Sequence, residues 1–178
     1  ANMAHKYGVD NNKGWWYSVT EVNISKDNQP DFIVGNIGLN SKYKSSKENP
    51  LRVYAGDMDE NGTWDLVLSK KYKDKYVPFR GKECSTQQMP FVSEKFPTYD
   101  LFASASIEEV YGKGLEKSYE EEVNVFYSIA LISQDDEYRI EKLPIEAQYF
   151  PVLDGVTIKD DIILAGNIYN TEVETPRL

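Results

Sequence analysis

The chain has 178 residues, of which 40% are apolar and 13% aromatic, and a formal net charge of −9. That is enough for one domain with a real core, or for a piece of something larger, and it excludes an intrinsically disordered chain. The acidic balance argues against a nucleic-acid partner, which needs clustered Lys and Arg. No apolar run approaches the roughly 20 residues that span a bilayer.

Residues 1–13 are polar, contain the single histidine, His5, and read as an N-terminal tail or cloning remnant. Strands are predicted at 15–22, 31–35, 51–56, 65–70, 75–79, 122–132, 137–143 and 161–166. The first carries Trp15, Trp16 and Tyr17, a cluster that fills a core more often than it forms a stacking platform. In 123–131, Val123, Val125, Tyr127, Ile129 and Leu131 alternate with the other face, a period of two. Turn chemistry at Asp27-Asn28, Asn61-Gly62 and Gln134-Asp135-Asp136 separates these runs.

The interval from about 85 to 118 breaks this rhythm and predicts a helical insertion between strands. Ser85-Thr86-Gln87-Gln88 and Ser106-Ile107-Glu108-Glu109 both have the form of capping boxes, and Gly112 is a stop for the second. Pro90 and Pro97 keep the pieces short. Tyr99, Phe102 and Tyr111 have the spacing of a buried helix face.

The segment with the most chemistry is Asp57-Met58-Asp59-Glu60-Asn61-Gly62-Thr63-Trp64-Asp65, followed by the apolar run Leu66-Val67-Leu68. Calcium takes about 6–8 oxygens at roughly 2.4 Å. Asp57, Asp59, Asn61 and Asp65 offer side-chain oxygens at positions 1, 3, 5 and 9, and Thr63 offers a backbone carbonyl. Three carboxylates this close repel one another unless something positive lies between them. A tight hairpin turn explains Asn61-Gly62 but not the three acids. An EF-hand needs a bidentate Glu where this chain has Leu68, and magnesium prefers fewer protein ligands. The expected site is a structural calcium clip, since no general base or open coordination position accompanies it.

The loop has echoes. Asn23-Ile24-Ser25-Lys26-Asp27-Asn28-Gln29-Pro30-Asp31 leads into Phe32-Ile33-Val34, and Asp161-Ile162-Ile163-Leu164-Ala165-Gly166-Asn167 keeps only the strand and the trailing Gly-Asn. The first echo is weakened at Asn23 and Ser25, and Asx-type turns account for it without an ion. The third has lost the loop, with Leu153, Gly155 and Thr157 in its donor positions. Cys84 and His5 have no orienting context as nucleophile and base. Glu120-Glu121-Glu122 and Asp135-Asp136 read as solvated surface.

Several blocks carry a resemblance: Gly14-Trp15-Trp16, Asp31 to Ser41, Pro50-Leu51, Val53-Tyr54-Ala55-Gly56-Asp57, Gln87-Gln88-Met89-Pro90, Lys95-Phe96, Leu143 to Gln148, and Leu164 to Asn167. On these blocks residues 14–178 resemble FG-GAP/VCBS repeat proteins, in particular large exported bacterial forms of the cartilage-acidic-protein type. The resemblance implies integrin-α-like β-propeller blades with calcium loops on the rim. It also implies export to the periplasm or outer cell surface and a role in binding or adhesion, with no known reaction.

The fold class expected is therefore mainly β, with partial β-propeller-type repeats of antiparallel strands and the short helical insertion at about 85–118. Blades use about 40–50 residues each, so the chain holds roughly three, too few to close a ring alone. It reads as a portion of a longer protein whose open edge strands invite self-association. The expected function is a calcium-stabilised binding module with an unidentified protein or glycan ligand. A carbohydrate-active enzyme domain and a structural spacer stand as alternatives.

Overall fold

The computed structural model describes residues 4–135, 137–159 and 161–168, and it is mainly β with antiparallel sheets, none of them closed. The chain divides into two compact units, one formed by residues 1–45 and 124–178 and the other by residues 46–123.

In the first unit, β1 (Ser18–Val22) and β2 (Asp31–Gly35) form a hairpin. The second unit contributes β3 (Leu51–Gly56), β4 (Asp65–Tyr72), β5 (Lys75–Pro78) and β6 (Tyr119–Val123), assembled in the order β5-β4-β3-β6. The chain then returns to the first unit, where β7 (Ile129–Gln134) pairs with β2 and β8 (Glu137–Lys142) completes a sheet of order β1-β2-β7-β8. A final hairpin, β9 (Val152–Ile158) with β10 (Asp161–Gly166), stands as a two-stranded sheet.

Alternation in the short strands decides which face is buried. Ile33, Ala130 and Ile132 lie on one face of the first sheet and join Val22 and Val152 in a core, with Ile162 and Leu164 of β10 packed against it. Phe32, Val34, Ile129 and Leu131 point to the opposite face, where residues of the N-terminal segment, Tyr7, Val9 and Asn12, help to line a cavity of about 400 Å³. Asn124 and Val125 donate backbone N–H groups to the Lys13 carbonyl at 2.8 and 3.0 Å, which ties residue 13 into this unit.

Three expectations about the strands need correction. The run 122–132 is not one strand: β6 ends at Val123 and β7 begins at Ile129. Between them Asn124 is bonded to Lys13, the Val125 carbonyl accepts from Asn36 Nδ2 (3.0 Å), and Ser128 N–H donates to Gln148 Oε1 (2.8 Å). Val125 and Phe126 are both buried, so the period of two fails where side-chain partners replace a ladder. Trp15–Tyr17 precede β1, and Trp15 instead packs edge-on against Tyr43 and Phe126. β9 was not foreseen, because Asp154-Gly155 interrupts its apolar pattern. Its tight turn to β10 pairs Ile158 directly with Asp161, which leaves no room for the long loop.

The helical insertion consists of α1 (Lys82–Gln88), α2 (Phe91–Lys95), α3 (Tyr99–Ser104), α4 (Ile107–Tyr111) and α5 (Lys113–Glu116). Their apolar residues Met89, Val92, Phe102, Ile107, Val110 and Tyr111 share one core with Tyr54 and Val67 of the second sheet. The Ser106–Glu109 capping box is present in both directions, and Gly112 (φ 55°) ends α4. The Ser85 box is absent, because α1 starts at Gly81 and buries Ser85 inside the helix beside the Tyr111 hydroxyl (3.2 Å). Tyr99 is 64% exposed, since it opens α3 and points its hydroxyl to Glu83.

Two glycines separate steric from conformational need. A Cβ on Gly35 would lie 2.0 Å from the Val152 carbonyl oxygen, whereas one on Gly62 (φ 87°) meets nothing within 4 Å. Gly35→Ala is therefore expected to cost about 2–3 kcal/mol through forced backbone movement, and Gly62→Ala about 1 kcal/mol through left-handed strain alone. Urea midpoints of the two variants check the ranking, and equal losses would sink it.

Candidate metal centre

The candidate centre lies in the eight-residue connection between β3 and β4, where Gly56 pairs with Asp65. Its local fold follows from short polar side chains closing on nearby N–H groups. Asp57 accepts from Asn61 N–H at Oδ1 and from Gly62 N–H at Oδ2, both at 2.9 Å. Asn61 Oδ1 accepts from Thr63 N–H (2.8 Å) and from the Thr63 hydroxyl. Glu60 (φ 60°) and Gly62 supply the left-handed residues of the turn. Met58 is buried in the unit's core and anchors the loop, while Asp65 Oδ2 accepts from Met58 N–H at 3.1 Å.

Asp57, Asp59 and Asp65 each present an oxygen within 4.8 Å of the others. Oxygens at about 2.4 Å from one calcium ion lie up to about 4.8 Å apart, so the three carboxylates fit around a single ion. Asp65 is buried, and Asp59 has a buried Oδ1 without a hydrogen-bond partner. The hydrogen bonds to Asp57 do not remove it as a ligand, because each carboxylate oxygen has a second lone pair. Of the five residues expected, the three carboxylates come together. Asn61 Oδ1 is the acceptor for Thr63, and Thr63 is exposed.

Residues outside the loop complete the surroundings. Gln88 of α1 donates to Asp65 Oδ1 (3.2 Å) and to the Leu66 carbonyl (3.3 Å). Lys117 donates to Glu60 at 2.7 Å, and that bond, with the Glu60 and Asp57 charges, holds its ammonium above the ordinary lysine value. Lys113 and Lys117 face the acids across a cavity of about 560 Å³ that Met58, Phe91 and Tyr111 also line. No local signal marks Gln88 or the lysines as partners, because they approach the loop only through helix packing.

The β1–β2 connection repeats several of these features 34 positions earlier. Val22 pairs with Asp31 as Gly56 pairs with Asp65. Ile24 N–H donates to Asp31 Oδ2 (2.6 Å) as Met58 N–H does to Asp65 Oδ2. Gln29 N–H donates to Asp27 Oδ1 (2.7 Å) as Thr63 N–H does to Asn61, and Lys26 (φ 57°) stands where Glu60 does. The loops differ at the first position, where Asn23 donates to the Asp27 carbonyl and Asp57 accepts N–H groups, and at the third. Ser25 gives Asp31 Oδ2 both its N–H (2.7 Å) and its hydroxyl (2.9 Å), and Ser133 N–H reaches Oδ1 at 2.7 Å. In the second loop a carboxylate, Asp59, replaces that hydroxyl donor.

No known protein family, curated protein or solved structure matches this chain. The fold and site define it as a mainly β protein of antiparallel sheets with an acidic triad at one strand start. Among the described residues, no helix is long and apolar enough to cross a membrane.

Asp31 is fully buried, and burial pushes its carboxyl up, but the hydrogen bonds from Ser25, Ser133 and Ile24 outweigh burial and hold it below the ordinary value. A depressed carboxyl adds stability that is full above the unfolded value of about 3.9 and is lost as pH falls through the folded value. Asp31→Asn should cost about 3 kcal/mol at neutral pH, because an amide donor meets backbone donors. The gap from wild type should narrow below about pH 4. Urea melts of both proteins across that range measure it, and a gap independent of pH would contradict the assignment.

Proposed function

We propose that this chain is a calcium-stabilised binding or interaction module of an exported protein, built from propeller-type repeats, with a protein or glycan as ligand. One observation carries the calcium reading: two loops of the same length and with shared hydrogen bonds differ in how the strand-start aspartate is satisfied. The first loop uses a serine hydroxyl, and the second presents a further carboxylate whose buried oxygen has no donor. A divalent cation between Asp57, Asp59 and Asp65 supplies the missing positive charge.

The repeat reading is supported by the shared 34-residue displacement and by two four-stranded antiparallel sheets. The sheets depart from a simple meander, since the chain leaves the first after β2 and rejoins it at β7. A structural ion suits a module whose work is presentation of a surface. The triad also fits a cation better than a glycosidase pair, whose carboxylates stand at least about 5 Å apart.

Calcium that binds only the folded state should raise the melting midpoint, worth about 2.7 kcal/mol at a hundred times the dissociation constant. Asp59→Ala should abolish that response. Asp59→Ser, which copies the first loop, should abolish it while making the protein more stable than wild type in chelator. A wild-type midpoint indifferent to calcium and chelator would remove the proposal.

The second expected behaviour concerns assembly. Val156 and Ile163 form an exposed apolar pair on the outer face of the β9–β10 hairpin, and unpaired edges invite strand pairing. Concentration-dependent self-association should appear in light scattering, and a monodisperse monomer at high concentration counts against it.

A further inference from the structure

We propose that the β4–β5 hairpin is a docking tip for an anionic phospholipid surface. Residues 70–82 hold Lys70, Lys71, Lys73, Lys75, Arg80 and Lys82 against one acid, Asp74, a net of +5 in a chain of net −9. Four of these lysines and Asp74 lie within residues 70–75 at the β4–β5 turn, a local net of +3, while Arg80 and Lys82 follow the hairpin. Lys73 (φ 55°) and Asp74 connect the closing pair Tyr72–Lys75, and every residue from 70 to 75 is exposed.

Aromatic rings accompany the cations. Lys70 lies over Phe79 (5.1 Å), Lys73 over Tyr72 (5.5 Å) and Lys82 over Tyr99 (5.4 Å), while Tyr72 and Tyr99 are themselves exposed. Lysine beside an exposed tyrosine suits the headgroup layer, where amphipathic rings settle and each lysine strengthens partition about fivefold. A flexible polyanion is held along a groove. A turn exposed at its end, with Lys75 bonded to the Ser104 carbonyl of α3 on one side, meets a plane more readily.

The acidic remainder does not prevent the approach. Ser69 is fully buried, and Lys73 lies four residues further along, about 13 Å at strand rise. That exceeds the Debye length of about 8 Å at physiological ionic strength, so acids level with Ser69 are screened at the turn. The helical insertion comes closer where Lys75 bonds the Ser104 carbonyl. The inference rests on this hairpin and the residues beside it and is independent of the calcium reading.

The test is co-sedimentation of the full chain with vesicles of phosphatidylcholine alone or mixed with phosphatidylserine, at low and high salt. Binding should require phosphatidylserine, weaken with salt, and fall at least about 25-fold in K71E/K73E. The charge-matched control K6E/K47E should bind as wild type does. Should the double variant fail to fold, Lys73→Ala at the turn must weaken binding in the same direction. Failure to bind acidic vesicles, equal binding to neutral ones, or equal loss in the control overturns the proposal. Retention of dextran sulfate without vesicle binding also overturns it, in favour of a soluble polyanion.

Discussion

The structure depends on a carboxylate at the start of a strand that reaches back seven residues to the backbone. Asp31 takes the N–H of Ile24 and Asp65 takes that of Met58. Each bond closes an eight-residue connection onto the first pair of its hairpin, so an irregular loop leaves one strand and returns in register. A buried carboxylate is costly unless its oxygens are satisfied. What satisfies it therefore determines the character of each loop. Around Asp31 four donors from three residues do so, and around Asp65 two do.

The same constraint links the loops to their units. Ser133, which serves Asp31, belongs to β7, the strand that rejoins the first sheet after residues 46–123. Gln88, which serves Asp65, belongs to α1, so the helical insertion supports the second loop. Gly114 brings α5 against it as well, since a Cβ there would lie 2.5 Å from the Met58 carbonyl oxygen. Each aspartate is thus a point where local turn chemistry and long-range packing meet.

Much of this was legible in residue types. The strands 31–35, 51–56 and 161–166 stand where alternation and flanking Asp and Gly put them, because each is short, apolar and bounded by turn chemistry. The convergence of Asp57, Asp59 and Asp65 was legible from spacing, since a loop held at Gly62 brings positions 1, 3 and 9 together. The bond from Thr63 N–H to Asn61 was less so, because a side-chain amide chooses among nearby donors. Ser85 had the spacing of a cap and became a helix-interior residue, since packing against Tyr111 moved the helix start to Gly81.

By itself the sequence determined the local units: which runs alternate, where short polar side chains close turns, and that two hairpins share one loop plan. These are matters of neighbours within ten residues, where backbone geometry leaves few choices. Tertiary structure decided what lies beyond that range. It split 122–132 at the passage between units, made β9 from a segment with a broken apolar pattern, and brought Gln88 to Asp65. It also buried Asp59 Oδ1 without a hydrogen-bond partner. Such outcomes depend on which distant groups compete for each buried polar atom, and only the folded chain settles that competition.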